Sequence, residues 1–359
     1  MQRFGEILFR LKSFRTGPIR SKRVLLDRDL RSRRRTLMLP SIREIEAAAA
    51  RIDGVASRTP LVESPSLSRQ FKREIYLKLE CFQPIRVFKI RGAYNKICQL
   101  SSKQIVAASS GNHGLAVSYS SHLLGKRCTV VIPETAVREK ADAIAEYGAE
   151  VVKYGKYHSD RESKAQEISS KTGAAFVHPF NDPDVIAGQG TCGLEITQQL
   201  KEFDSVIVPV GGGGLISGIS IAIKSLKPSA KVYGVEPEGA NKMQQSLQAR
   251  KLVKIEAPMS IADGLIPSTV GELTLEASRA NVEGVFAVTD DSIMSAMELL
   301  IKEAHIFPEP SGCAPLAAVI GNNDLSRLGK RVVLVVSGGN VSTELLNRMI
   351  SRGEVAVHA

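Results

Sequence analysis

From about residue 40 the chain alternates short apolar runs with longer stretches in which apolar residues recur every three or four positions. The short runs predict β-strands and the longer stretches predict amphipathic helices. The predicted strands are IYLKLE (75–80), QIVAAS (104–109), RCTVVIP (127–133), AEVVKYG (149–155), AAFVHP (174–179), SVIVPV (205–210), KVYGVE (231–236), GVFAVT (284–289) and RVVLVVSG (331–338). Nearly continuous apolar strands between helices indicate parallel sheet buried on both faces, so the sequence predicts an α/β fold.

The N-terminal 40 residues differ from this body in charge. They hold twelve Lys and Arg against three acidic residues, whereas the other 319 residues carry a balance of only +2. We expect this basic arm to be disordered, as an upstream extension of a start at Met38, a transit peptide or a nucleic-acid-binding tail. The body then begins with a helix, because Ser41 and Glu44 form the pattern of a capping box.

Length and composition narrow the class of protein. The chain has 359 residues, 43% of them hydrophobic and 24% charged, which suits two soluble globular domains. No apolar run is long enough to span a membrane, and the absence of Trp makes stacking on nucleic-acid bases an unfavoured function. Five widely spaced cysteines without a metal-binding pattern indicate reduced thiols, and we expect a cytoplasmic protein.

Two glycine-rich segments follow predicted strands where ligands bind in parallel α/β folds. SSGNHG (109–114) and GGGG (211–214) both lead into helices, whose exposed amides suit a carboxylate or phosphate. A plain glycine turn is the alternative for the first segment. A dinucleotide site is the alternative for the second, with Glu236 on the ribose, but Ile216 stands where that fingerprint needs a third glycine.

Two further segments carry candidate chemistry. SGGN (337–340) follows the last predicted strand and repeats the pattern of a polar, glycine-rich strand end. FKIRGA (88–93) places Lys89 at a helix start, where the helix dipole disfavours a cation. A solvated lysine is the ordinary interpretation. Alternatively, Phe88 and Ile90 exclude water from Lys89 and favour the neutral amine that a Schiff base requires.

Taken together, these motifs resemble the fold-type II pyridoxal-phosphate enzymes of the threonine/serine dehydratase and serine racemase family. The matching segments occur in the family's order over about residues 41–350, and they are FKIRGA, SSGNHG, HPF…VIAGQGT (178–191), PVGGGGLISG (209–218), VEPEGAN (235–241), IADG (261–264), EPSG (309–312) and SGGN. The resemblance implies two open, twisted α/β domains with the cofactor between them. The large domain would comprise 41–103 and 182–359, and the small inserted domain would comprise 104–181.

The resemblance also implies roles for individual residues. Lys89 would form the Schiff base with pyridoxal 5'-phosphate and move the Cα proton of the substrate. Phe88 would pack on the cofactor, Asn112 would bond its phenolic oxygen and Ser337 its pyridine nitrogen. Ser110 matches a second acid/base on the face opposite the lysine. The cofactor phosphate would lie in the loop of Gly211, Gly212, Gly213 and Gly214, and the substrate carboxylate would bind the segment of Ser109, Ser110, Gly111, Asn112 and His113.

The implied reaction is the deaminating dehydration of L-threonine or L-serine to 2-oxobutanoate or pyruvate and ammonia. A serine or aspartate racemase, for which Ser110 would be needed, and a dehydratase for another β-hydroxy amino acid such as 3-hydroxyaspartate are the alternatives. Leu115 replaces the glutamine of serine racemases. The chain also ends soon after SGGN, which argues for a catabolic enzyme without a regulatory domain. We expect the protein to form a homodimer or homotetramer and to act on a small amino acid as its substrate.

One position departs from the family's divalent-cation site. Glu236 and Ala240 match that site, but Lys242 replaces an expected Asp. An ammonium opposes cation binding, so either Mg²⁺ is not used or the lysine supplies the charge itself.

Overall fold

The computed structural model describes residues 38–109, 111–136, 138–156, 158–322 and 325–351. The chain divides into two units, Met1–Met38 and Leu39–Ala359, and every helix and strand described lies in the second. Residues 1–37, which form most of the predicted basic arm, lie outside the described residues, as does Ser110.

The body opens with the predicted capping box. Ser41 is the N-cap of helix α1 (Ile42–Ile52), and its backbone N–H donates to the Glu44 carboxylate at 2.8 Å while its hydroxyl accepts from the Glu44 backbone at 3.4 Å. Ile45, Ala48 and Ile52 form the buried face of α1. The helix therefore starts where local sequence chemistry favours it and is retained by packing.

Ten strands are present in the described part of the chain. They are β1 (Leu61–Glu63), β2 (Glu74–Leu79), β3 (Gln104–Ala108), β4 (Arg127–Ile132), β5 (Glu150–Lys153), β6 (Ala175–Phe176), β7 (Ser205–Pro209), β8 (Lys231–Pro237), β9 (Gly284–Val288) and β10 (Arg331–Val336). Eight match predicted runs to within one or two residues at each end, β6 ends three residues before its predicted end, and β1 is an addition to the prediction.

Helices alternate with these strands. After α1 they are α2 (Pro65–Phe71), α3 (Lys89–Ile97), α4 (Asn112–Leu123), α5 (Arg138–Ala145), α6 (His158–Thr172), α7 (Pro183–Gln199), α8 (Gly214–Leu226), α9 (Lys242–Ala249), α10 (Glu272–Asn281), α11 (Asp290–Ala304), α12 (Pro310–Ile320) and α13 (Thr343–Ser351). Short 3₁₀ turns occupy Glu80–Phe82, Glu238–Ala240, Asp263–Leu265 and Ser326–Leu328.

The strands form two sheets, which confirms the predicted α/β fold. The larger sheet has the order β1-β2-β10-β7-β8-β9, and the smaller has the order β5-β4-β3-β6. All neighbours pair in parallel except β1 and β2. The smaller sheet lies wholly within residues 104–176. The domain boundaries at 103/104 and 181/182 stay a prediction.

The central strands of the larger sheet are buried on both faces. All five residues of β7 are buried. Val206 and Val333 pack in one cluster with residues of α8, whereas Ile207 and Leu334 pack in another with residues of α11 and α12. Helices on both sides thus explain the continuous apolar runs, and they leave the strand ends to carry polar loops. No described helix is both long enough and apolar enough to cross a bilayer.

Candidate active site

Lys89 is the first residue of α3 and lies beside the end of β10. The Phe88 N–H donates to the Ser337 carbonyl at 3.1 Å, and Val87 forms an isolated bridge with Gly338. The Lys89 amine donates to the Pro179 carbonyl at 2.9 Å. FKIRGA, HPF and SGGN, which are far apart in sequence, therefore meet around residues 87–89.

The surroundings of Lys89 favour its neutral form. Burial lowers the pKa of Lys89 to about 8, because removing the ammonium from water penalises its charge. The amine lies 5.2 Å from the centre of the Phe88 ring. The desolvation expected from the flanking apolar residues is therefore present, and a neutral amine is the nucleophile that an aldehyde requires.

A buried charge network anchors the helix that begins at Lys89. Arg91 donates to both Glu80 oxygens at 2.7 and 2.8 Å and to Glu195 at 2.6 Å. Lys78 also donates to Glu195, at 2.6 Å. Burial acts to raise the pKa of Glu80, but the charge of Arg91 outweighs it and holds that pKa at about 2. This network could not be predicted from the sequence, because its members come from three segments that meet only in the folded chain.

The glycine loop 211–214 leads from β7 into α8, and Phe180 and Gly264 pack closely against it. Gly213 has φ +93°, a left-handed conformation that favours glycine, and its neighbour Gly212 lies under the Phe180 ring. A Cβ on Gly212 would lie 2.1 Å from that ring, and one on Gly211 would lie 2.6 Å from the Gly264 carbonyl. The Thr274 hydroxyl donates to the Gly212 carbonyl at 2.8 Å.

These residues fit pyridoxal phosphate. The four glycines carry no side chains, and the first turn of α8 supplies amides without intrahelical partners, which suit an anion. The amine of Lys89 is held by the segment that carries Phe180, the ring that covers this loop. A loop suited to phosphate and a lysine with a lowered pKa are thus connected through residues 179 and 180.

Asn112 is the first residue of α4, and its side chain forms hydrogen bonds with two other side chains. Its amide nitrogen donates to the Glu309 carboxylate at 2.8 and 3.0 Å, and its amide oxygen accepts from Asn340 at 2.8 Å. The Glu309 N–H donates to the Gly338 carbonyl at 3.0 Å. The structure therefore places Asn112 beside the SGGN loop, and its bond to the cofactor oxygen stays a prediction.

Glu309 is a site residue that the sequence analysis did not single out. It is 4% exposed, and burial raises its pKa to about 7, with the bond from Asn112 acting in the opposite direction. A carboxyl group that titrates near neutral pH beside candidate cofactor ligands is typical of functional sites. The motif EPSG (309–312) was the available signal, as HPF was for Phe180, but neither motif indicates what its residue contacts.

The SSGNHG segment follows β3 as predicted. The Ser109 hydroxyl accepts from the Gly111 N–H at 3.3 Å, and a Cβ on Gly111 would meet no atom within 4 Å. His113 is buried, with Nε2 2.9 Å from the Val177 carbonyl. This packing indicates a structural part for His113, and a substrate contact would come from the backbone of the segment. The prediction for Ser110 falls outside the described residues.

Ser337 is buried at the end of β10, where its carbonyl accepts from Phe88. Its predicted contact with the pyridine nitrogen stays a prediction. Among the described residues, no group of three His, Cys, Asp or Glu side chains is placed to hold a metal ion. At the position matched to a divalent-cation site, the Lys242 amine contacts both Glu236 and Ala240.

Comparison with known proteins agrees with this geometry. Residues 52–338 match the family described as "Pyridoxal-phosphate dependent enzyme". An L-threonine ammonia-lyase of Thermotoga maritima is 41% identical over 88% of this chain and 79% of its own. An L-threo-3-hydroxyaspartate ammonia-lyase of Saccharomyces cerevisiae is 38% identical over 89% of this chain and 98% of its own. The structure of maize serine racemase superimposes with a TM-score of 0.84 at 35% identity, covering 88% of this chain and 98% of that one.

Proposed function

The chain belongs to the family of pyridoxal-phosphate dependent enzymes, and we propose that it is an ammonia-lyase for L-threonine or L-serine. The product would be 2-oxobutanoate or pyruvate, released with ammonia. The observation that carries the proposal is the desolvated Lys89 amine, which is joined through residues 179 and 180 to a glycine loop suited to phosphate. The similar T. maritima protein is named an L-threonine ammonia-lyase, which supports this choice of reaction.

Different residues of this chain would carry out different parts of the proposed reaction. When bound, pyridoxal phosphate withdraws electrons from the substrate Cα and makes its C–H acidic. Lys89 would accept that proton, since its pKa of about 8 leaves much more neutral amine near pH 7 than an ordinary lysine has. The glycine loop and the start of α8 would hold the phosphate. Loss of the β-hydroxyl and hydrolysis of the resulting enamine would give the 2-oxo acid and ammonia.

A serine racemase is the second candidate, because maize serine racemase has the same fold over most of both chains. Ser110 separates the two reactions. Racemisation needs a proton donor on the face opposite Lys89, and elimination does not. We expect Ser110→Ala to retain most 2-oxo acid formation and to lose any D-serine formation. If the unaltered protein makes D-serine faster than pyruvate, the ammonia-lyase proposal is wrong.

The direct test is product formation by the purified protein with pyridoxal phosphate. We would measure 2-oxo acid and ammonia from L-threonine, L-serine and L-threo-3-hydroxyaspartate, the last because of the S. cerevisiae relative. Lys89→Ala should lose both turnover and the visible absorption of the bound cofactor. Lys302→Ala, which alters an exposed lysine paired with Glu298, should retain both. Activity in Lys89→Ala, or no 2-oxo acid from any substrate, would overturn the proposal.

We further propose that the backbone of 109–113 binds the substrate carboxylate and that Ser337 contacts the cofactor ring. The two sheets support a division into a large and a small domain near residues 104 and 181. Five free cysteines, all in described residues, support a cytoplasmic location. A homodimer or homotetramer is the expected assembly, which light scattering of the purified protein would test.

A further inference from the structure

Oxygen atoms from three chain segments surround one amine beyond the carboxyl end of β8. Lys242 Nζ lies 2.9 Å from Glu236 Oε1, the Ala240 carbonyl and the Leu265 carbonyl, and 3.3 Å from the Val210 carbonyl. The side chains of Lys242 and Glu236 are both fully buried. We call these four oxygens the oxygen cage.

The contacts of Lys242 favour its charged form. Burial lowers the pKa of Lys242 and raises that of Glu236, so it acts against both charges. However, a neutral amine has two N–H groups, whereas three acceptors lie at 2.9 Å and only an ammonium can donate to all of them. The Glu236 carboxylate in turn accepts from Lys242 and from the backbone N–H groups of Met243 and Gln244, each at 2.9 Å. The pair is therefore an ammonium and a carboxylate with their hydrogen bonds satisfied.

The oxygen cage borders the glycine loop. Val210 directly precedes Gly211, and Leu265 directly follows Gly264, whose carbonyl faces Gly211. Lys242 therefore ties together the entrance of the loop and the segment that covers it. Its other two oxygen partners, on Glu236 and Ala240, belong to the end of β8 and the turn after it.

We propose that the Lys242 ammonium serves as a built-in cation, in place of a bound metal, and positions the glycine loop for the cofactor phosphate. Carboxylate and carbonyl oxygens are the ligands that Mg²⁺ and Ca²⁺ take from proteins. In this chain they are taken by the amine, so a divalent ion does not fit beside it. The inference rests on the proposed function only where it concerns the cofactor phosphate.

Removing the side chain should convert the oxygen cage into a metal site. Lys242→Ala leaves the four oxygens and an unpaired buried carboxylate. We expect the thermal midpoint of the cofactor-free variant to fall by roughly 5–15 °C and to recover by at least half with CaCl₂ or MgCl₂. Choline chloride of equal ionic strength should not restore it. The midpoint of the unaltered protein should respond to none of these salts beyond the choline control.

Lys242→Met is the matched control, because its side chain occupies the cage but supplies no charge. Its midpoint should fall, and neither CaCl₂ nor MgCl₂ should restore it. Pyridoxal-phosphate binding, followed by absorbance, should weaken about tenfold or more in Lys242→Ala and return with the divalent salt. This binding measurement links the cage to the glycine loop independently of any turnover.

Three results with the unaltered protein and the single variants would overturn the inference: a metal-dependent midpoint in the unaltered protein, unchanged properties in Lys242→Ala, or no difference in salt response between the Ala and Met variants. If Lys242→Ala folds under no condition, Glu236→Gln/Lys242→Met removes both charges together. That variant should fold and bind the cofactor more weakly, and unchanged binding would overturn the inference. If the ammonia-lyase proposal fails instead, the midpoints of the cofactor-free proteins still decide the part played by Lys242.

Discussion

At the scale of single residues, two groups in the site titrate near neutral pH for the same physical reason. Burial lowers the pKa of Lys89 to about 8 and raises that of Glu309 to about 7. In both cases the folded protein disfavours the charged form. The two groups therefore give the cofactor-free protein a pH dependence that exposed lysines and glutamates do not have.

The reaction of Lys89 with the cofactor aldehyde should follow its lowered pKa. Because the neutral amine is the nucleophile, we expect the rate of pyridoxal-phosphate uptake by cofactor-free protein to rise with pH and to level off above about pH 9. An ordinary lysine, with a pKa near 10.5, would continue to rise beyond pH 10. Stopped-flow absorbance measures this rate, and Nα-acetyl-lysine in the same buffers corrects for titration of the cofactor. A rate that still increases steeply above pH 10 would contradict the lowered pKa.

Glu309 should destabilise the cofactor-free protein at high pH. Its folded pKa lies above its unfolded value, so stability is lost as pH rises from about 4.5 through 7. Glu309→Gln removes the charge, and we expect its thermal midpoint at pH 8 to exceed that of the unaltered protein by roughly 5 °C. The difference should vanish near pH 4.5. Glu276→Gln, on the exposed face of α10, is the control. If the midpoints of Glu309→Gln and the unaltered protein differ by the same amount at all pH values, the pKa of Glu309 is not raised by folding.

At the scale of elements, the glycine loop depends on its contact with Phe180. Gly212→Ala would place a Cβ 2.1 Å from the Phe180 ring, so the ring or the loop must move. We expect pyridoxal-phosphate binding to weaken about tenfold or more. Gly284→Ala, where a Cβ meets nothing within 4 Å, should bind normally.

A double variant identifies the contact responsible. In Gly212→Ala/Phe180→Ala the clash is removed, so its binding should be stronger than the sum of the two single effects predicts. Absorbance titrations of the four proteins give this coupling. Strictly additive losses would show that Gly212 is needed for a reason other than the Phe180 ring.

Elements that are specified by residues close together in the sequence could be predicted from it. The start of α1 follows from Ser41 and Glu44, and β7 follows from an apolar run ended by Pro and glycines. The pairing of Asn112 with Glu309 could not be predicted, because it joins residues 197 positions apart. Only the fold brings such groups together, so the predicted site contained the motif residues and lacked the side chains that orient them.

At the scale of the whole molecule, one exposed ion pair joins the regions of the two sheets. Lys140 of α5 contacts Asp263 at 2.7 Å, and Ile144 of the same helix packs with residues of the smaller sheet. Asp263 begins the turn that includes Gly264, which covers the glycine loop. The pair therefore lies where the two regions meet at the site.

Breaking the ion pair between Lys140 and Asp263 should change the KM for the substrate more than it changes the thermal stability. Because both groups are about half exposed, we expect Lys140→Ala to shift the thermal midpoint by no more than about 2 °C. The KM should rise roughly two- to fivefold at low salt, and this difference should shrink in 0.5 M salt as the attraction is screened. Arg138→Ala, which breaks the exposed pair with Asp142 within α5, should leave KM unchanged. An unaltered KM for Lys140→Ala at low salt would contradict the expectation.

The position of β10 bears on how the chain folds during synthesis. Of the strands in the described part of the chain, this one is the last to leave the ribosome, yet it lies between β2 and β7 in the middle of the larger sheet. Until residues 331–336 emerge, β2 and β7 have no partner on their facing edges, and such edges invite aggregation. Since Ser337 to Asn340 follow β10 directly, the candidate active site is also completed last. We therefore expect nascent chains that stop before residue 331 to depend on chaperones and to lack cofactor.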